Sequence, residues 1–239
     1  MIYMYTGTNG SGKTYHVVRQ IYARLRRGCD VLTNIFLDVR GKIKGEYIYK
    51  PLMDITPAAI IDFARAKRRR ESSCLVVIDE AQLLFNARNF SAKDRWDWIR
   101  FFPEHRKYGL DIILVTPYDR MIDRQIRVLT EYEVRHRVAN RYGFIGGILS
   151  LFGIKIFVAE YRWYGMALRD YAEWFLFRKK YARMYDTMAI QGAALGGGAP
   201  AQAGGDPPAA KQDSADAAVK GGGSRPEGLP LTAAASAQA

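Results

Sequence analysis

Gly7-Thr8-Asn9-Gly10-Ser11-Gly12-Lys13-Thr14 decides how this chain is read. It fits G-x-x-x-x-G-K-[ST], and its flanks are the ones that pattern requires. Ahead of it, Met1-Ile2-Tyr3-Met4-Tyr5 is a short apolar run that reads as a strand. Behind it, Val17, Val18, Ile21, Tyr22 and Leu25 recur at helical spacing over 15–27. Strand, glycine loop and helix in that order separate a phosphate loop from a chance match. Glycines let successive backbone N–H groups turn inward around phosphate oxygens, where a Cβ would obstruct them. The helix then points its positive end at the same spot. Gly7 to Thr14 would therefore hold the phosphates of ATP. Lys13 reaches the β- and γ-phosphates, and the Thr14 hydroxyl is a ligand for Mg²⁺.

The chain has 239 residues, enough for one α/β domain with additions. Its formal charge of +12 points to a polyanionic partner, nucleic acid or an anionic lipid surface. From residue 191 on, Lys211, Lys220 and Arg225 stand against Asp206, Asp213, Asp216 and Glu227, a charge of −1, which leaves +13 for residues 1–190. Cys29 and Cys74 each lie in or beside an expected strand and read as small core residues of a reducing compartment. The first strand starts almost at Met1, so no signal peptide is expected ahead of it.

A second strand is expected at Asp30-Val31-Leu32-Thr33-Asn34-Ile35, then a small hairpin or loop over 38–53. Thr56-Pro57 opens a helix as N-cap and first-turn proline. That helix ends in the basic run Arg65, Lys67, Arg68, Arg69 and Arg70, which reads as a solvated face. The next landmark is Cys74-Leu75-Val76-Val77-Ile78-Asp79-Glu80. An apolar run closed by two carboxylates is how a strand buried on both faces looks when its C-terminal end emerges at a ligand site. With a phosphate loop upstream, Asp79 takes the Mg²⁺ shell, and Glu80 orients or deprotonates the attacking water.

A helix over 92–102 follows, then a strand at Asp111-Ile112-Ile113-Leu114-Val115-Thr116. Thr116 at its end either senses the γ-phosphate or is an ordinary strand terminus. Residues 119–127 read as a basic helix. Beyond them Tyr132, Val134, His136 and Val138 alternate with Glu131, Glu133, Arg135 and Arg137, the pattern of a strand with one apolar and one charged face, on which His136 is a packed residue. The most apolar stretch is 144–159. At 16 residues, with Lys155 inside it and four glycines nearby, it falls short of the about 20 residues a spanning helix needs. Ile154, Ile156 and Val158 alternate instead, so 131–165 reads as an antiparallel hairpin with an apolar tip at 143–153. Arg135, Arg137, Arg141, Lys155 and Arg162 flank that tip, which either enters an anionic membrane interface or is buried against protein.

GTNGSGKT, Val31-Leu32-Thr33-Asn34-Ile35, LVVIDEAQ, HRKYGLDIILVT and Tyr181-Ala182-Arg183-Met184-Tyr185-Asp186-Thr187 together resemble the zonular occludens toxin-like (Zot) family over residues 1–190. The resemblance implies an ATPase of filamentous-phage assembly and export, acting as a homo-oligomer on the cytoplasmic face of the host inner membrane. Other phage assembly or coat proteins and single-stranded phage DNA are its implied partners. It carries the nucleotide role to residues 7–14, and the Mg²⁺ and water roles to Asp79 and Glu80. Arg106, followed by Arg127, is the candidate for acting on a neighbouring subunit's nucleotide. Two features depart from the family: Thr116-Pro117-Tyr118 stands where Thr-Gln is frequent, and the transmembrane helix usual after the ATPase domain is not obvious in this sequence.

The fold expected is a RecA/AAA-like P-loop NTPase: a parallel sheet flanked by helices over 1–190, with a small antiparallel β extension. Residues 191–239, rich in Ala, Gly and Pro and without an aromatic residue, form a disordered tail. Besides the assembly motor, a DNA-translocating or packaging ATPase and a non-hydrolysing nucleotide-gated scaffold stay open. The Asp79-Glu80 pair favours the enzyme.

Overall fold

Strands form where the apolar runs stand: β1 (Ile2–Thr6), β2 (Asp30–Thr33), β3 (Tyr47–Tyr49), β4 (Cys74–Ile78), β5 (Leu110–Val115), β6 (Tyr132–Val138), β7 (Ile156–Trp163) and β8 (Arg169–Leu176). The computed structural model describes residues 1–39, 41–66, 71–86, 92–141, 154–166 and 168–185. Among them the strands make one sheet in the order β3-β2-β4-β5-β1-β6-β7-β8. From β3 to β6 neighbours run parallel, and β7 and β8 continue the sheet antiparallel. β5 therefore stands between the phosphate-loop strand β1 and the acidic strand β4, which brings the ends of all three together along one edge.

The helices are α1 (Lys13–Arg27), α2 (Pro57–Arg65), α3 (Ala81–Leu84), α4 (Ala92–Glu104), α5 (Arg124–Val128) and α6 (Lys179–Ala182). Thr56 caps α2 as its sequence requires, its Oγ1 accepting from the Ala59 N–H at 3.2 Å. Strand alternation splits the core into two layers. On one face Val17, Val18, Ile21 and Leu25 of α1 pack on Tyr5, Val31, Val77, Val115 and Val134. On the other, Met4, Leu32, Val76, Ile78 and Leu114 meet Ile60, Phe63, Trp98, Phe102 and Ile126. β4 is buried along its whole length, which explains its uninterrupted apolar run. Each such side chain contributes about 1.5–3 kcal/mol on burial.

Three expectations need correction. Residues 38–53 are not a hairpin: β3 pairs parallel with β2, Leu32 opposite Ile48, because the chain first crosses back to the starting edge of the sheet. The segment 119–127 is not one helix but a 3₁₀ turn at Asp119–Met121 followed by the short α5. β8 was not foreseen; it pairs with β7 and makes the antiparallel extension two strands beyond β6. The apolar tip at 143–153, residues 67–70 of the basic run and the tail from 191 lie outside the described residues. Among the described residues no helix is long and apolar enough to cross a membrane.

Candidate nucleotide-binding site

The loop between β1 and α1 is shaped by backbone conformation. Gly7, Gly10 and Gly12 have φ of 141°, 76° and 95°, in the region side chains disfavour. Gly12 is also held by contact: a Cβ there would stand 2.5 Å from Cδ1 of Phe157 on β7. Gly12 begins α1 without any side-chain cap, and no acidic residue occupies the first helical turn. The free N–H groups and the helix dipole are thus left for an external anion. Ser11 adds a buried hydroxyl with no hydrogen-bond partner among the described residues. Such a group fits a loop that takes its missing acceptors from phosphate oxygens.

Lys13 folds onto its own loop, its Nζ donating to Gly7 O at 2.6 Å and Thr8 O at 3.3 Å. Burial pulls its pKa down, against the pull of Asp79 and Glu80. Thr14 Oγ1 donates to Asp79 Oδ2 at 3.2 Å, across 65 residues of sequence. A hydroxyl and a carboxylate facing each other are hard oxygen donors of the kind Mg²⁺ takes. Asp79 is pushed up to about 6 by burial and by the neighbouring Glu80 charge, so its ionised form lacks compensation that a cation would supply. These residues fit the Mg²⁺-nucleotide read from the sequence.

Glu80 sits at the mouth of the site with φ 54°, a left-handed conformation that costs a non-glycine residue about 1–2 kcal/mol. Its backbone N–H donates to Asp79 Oδ1 at 2.9 Å, and its carboxylate accepts from Gln82 Nε2. The turn aims the two acids differently, Asp79 inward at Thr14 and Glu80 outward.

Asn34, just past β2, escaped the sequence reading as a site residue. Its Nδ2 donates to Asp79 O at 2.9 Å and its Oδ1 accepts from Asp79 N–H at 2.7 Å. This amide pins the peptide that carries the first acid. Its only signal was an Asn closing a strand beside the acidic strand. Asn34→Ala removes both bonds and strands a partly buried N–H, a loss of about 1–3 kcal/mol. The expected outcome is a lower melting temperature and a reduced kcat with nucleotide affinity kept, read by thermal unfolding and steady-state hydrolysis.

His136 is the packed residue expected, and it backs the loop. Its Nδ1 faces two acceptors, Thr6 O at 3.2 Å and Val134 O at 3.0 Å, so that nitrogen carries the proton. Its Nε2 then accepts from His16 Nδ1 at 2.9 Å. Burial holds His16 below, and His136 well below, the ordinary imidazole value. Beside this pair a cavity of about 440 Å³ opens under Gly7 and Thr8, with Arg135 and Arg137 in its wall.

Other expected residues fall elsewhere. The Thr116 hydroxyl donates to Tyr118 O at 3.1 Å, the behaviour of an ordinary strand terminus, and Pro117 O accepts from Gly7 N–H at 3.1 Å. Arg106 precedes β5, at the opposite end of the sheet from the glycine loop, and pairs with Glu131 at 2.6 Å. With a rise of about 3.3 Å per residue, β5 alone separates the two by roughly 17 Å. Arg127 pairs with Asp119 at 3.6 Å, beside the cavity wall.

A glycine loop between β1 and α1, with an acid-tipped strand one place removed across β5, defines a phosphate-loop NTPase domain of the RecA/AAA-like class. More narrowly, the chain belongs to the Zonular occludens toxin (Zot) family, whose profile matches residues 1–154. It is 32% identical over 161 residues to the Gene 1 protein of Enterobacteria phage M13, covering 63% of this chain and 46% of that protein. Against the Gene 1 protein of Salmonella phage IKe the identity is 30% over 161 residues, 63% and 44% of the two chains. The chain thus spans about half the length of the curated relatives it matches. Among solved structures, the N-terminal domain of zonular occludens toxin from Neisseria meningitidis aligns with TM-score 0.49 and 20% identity over 77% of this chain and 98% of that one. A second solved structure, an ATPase domain, aligns with TM-score 0.50 and 10% identity over 77% and 84% of the two chains, a likeness of fold.

Proposed function

We propose that residues 1–190 form an ATP-hydrolysing motor domain that drives filamentous-phage assembly and export. The contact between Thr14 and Asp79 carries this reading, because it joins the phosphate loop to an acidic strand end at a distance suited to a shared cation. In the proposed reaction the loop N–H groups and Lys13 hold the phosphates, and Glu80 positions and deprotonates the attacking water. A bound Mg²⁺ would neutralise the β- and γ-oxygens there. Family membership and the Gene 1 relatives support the assembly role. The same reading places the motor at the cytoplasmic face of the host inner membrane, among phage assembly or coat proteins.

The motor is proposed to work as a homo-oligomer in which Arg106 reaches a neighbour's nucleotide. Its position far from its own loop is compatible with such a role, and its ion pair with Glu131 is worth about 0–1 kcal/mol. Phosphate release by the full chain, with Arg106→Ala and Lys13→Ala proteins assayed alone and mixed, tests both ideas. Wild-type turnover and partial recovery in the mixture are expected. ATP binding without any phosphate release would leave a nucleotide-gated scaffold. Turnover with no recovery in intact oligomers would remove Arg106 from the site.

A further inference from the structure

On the proposed function, a triphosphate lies along the glycine loop with its γ end towards Asp79 and Glu80 on β4. The sheet order then sets where the nucleoside goes: away from β4, over the ends of β6, β7 and β8. β7 runs antiparallel to β6, so its first residues lie at the loop edge, and β8 brings its last residues back there. Val138 stands opposite Phe157, and Ile156 opposite Leu176. Phe157 is the ring that lies against Gly12. Next to it, just past β8, is Phe177. Its ring stands 5.3 Å from that of Tyr15, the residue that follows Thr14. Phe157 and Tyr15 are buried, whereas Phe177 is 40% exposed.

This exposed ring is fixed through its backbone. Tyr15 Oη donates to Leu176 O at 3.0 Å and accepts from the Arg178 N–H at 2.7 Å, so one hydroxyl holds both neighbours of Phe177. The Phe177 N–H itself donates to Lys155 O at 2.8 Å. Tyr15 also packs on Phe157 at 5.5 Å, which ties the first turn of α1 to the same aromatic group. The charges there suit a phosphorylated ligand. Lys155 Nζ stands 5.2 Å over the Phe157 ring, and Arg178 and Lys179 are exposed. Glu173, the acid of β8 closer to this edge, is held by Arg19 at 3.2 Å. An exposed ring pinned beside the loop, on the side the nucleoside must cross, offers a π-face to a base.

We infer that Phe177 is the stacking partner of the nucleotide's base and that Tyr15 positions it. The inference rests on the glycine loop being a phosphate site, and a nucleotide compared with bare phosphates tests the two separately. The measurement is calorimetric titration of the full chain, with Mg²⁺, by the non-hydrolysable ATP analogue AMPPCP and by inorganic tripolyphosphate. The wild type should bind AMPPCP about tenfold more tightly than tripolyphosphate. Phe177→Ala should lose about that factor for AMPPCP and nothing for tripolyphosphate. Phe177→Leu, with apolar bulk but no π-face, should match the alanine protein, and Phe177→Trp should retain the affinity. Tyr15→Phe frees residues 176–178 and should lower the ratio of the two affinities by less. Equal wild-type affinities, or an unchanged ratio in both Phe177→Ala and Tyr15→Phe, overturn the inference and leave the loop in place. Equal losses of both ligands in Phe177→Ala also overturn it, because they assign the ring to the fold of the loop. Binding of neither ligand by the wild type removes the phosphate site itself, and the inference with it.

Discussion

Glu80→Gln will bind ATP and fail to turn it over. The substitution keeps the shape of the side chain, and glutamine can still reach the Gln82 amide that now steadies the carboxylate. It removes the base. Loss of a positioned general base costs about 10²–10⁴-fold in rate. Binding should survive because the phosphate contacts come from the loop, α1 and Lys13, none of which Glu80 touches. Lys13→Ala is the counterpart and loses binding itself: its ammonium is the one cation of the loop, already held 2.6 Å from Gly7 O. Equilibrium binding of a fluorescent ATP analogue beside phosphate release separates the two. Wild-type turnover by Glu80→Gln would move the water-activating role elsewhere and make Glu80 a turn residue.

Asp79→Asn should give a protein that is more stable without metal and inactive with it. Burial and the Glu80 charge push Asp79 up to about 6. The folded state therefore holds a proton at a pH where the unfolded chain, with an ordinary carboxyl near 3.9, has lost it. More protons bound in the folded state means that stability falls as pH rises. The loss runs from about pH 4 to about pH 6 and is complete above that window, amounting to at most about 2–3 kcal/mol. Asparagine removes this penalty and keeps an oxygen for the Thr14 hydroxyl. It also removes the carboxylate that would hold Mg²⁺. Melting temperatures from pH 4 to pH 8 should show Asp79→Asn lying above the metal-free wild type at pH 8 and converging with it at pH 4. An unchanged pH profile would mean that Asp79 is ionised at no cost.

What was legible in the chain was local. Three closely spaced glycines, a lysine and a threonine specify a loop conformation through backbone freedom and helix polarity, so residues 7–14 announce their own structure. A strand buried on both faces can only be written as an apolar run, so β4 and its two acids stood out as well. Strand alternation likewise placed His136 on the inner face of β6. Contacts between distant residues were not legible, because no periodicity encodes them. That β5 lies between β1 and β4, that β3 runs parallel to β2 and that β8 extends the sheet are choices among pairings the same strands allow. Tertiary structure alone set Asn34 against the Asp79 peptide and laid the Phe157 ring where a Gly12 side chain would go. It also sent Arg106 to the far end of the sheet and set Phe177 beside Tyr15 at the loop. Each of those residues reads as an ordinary member of its own segment, and only burial and close packing between segments decide what it touches.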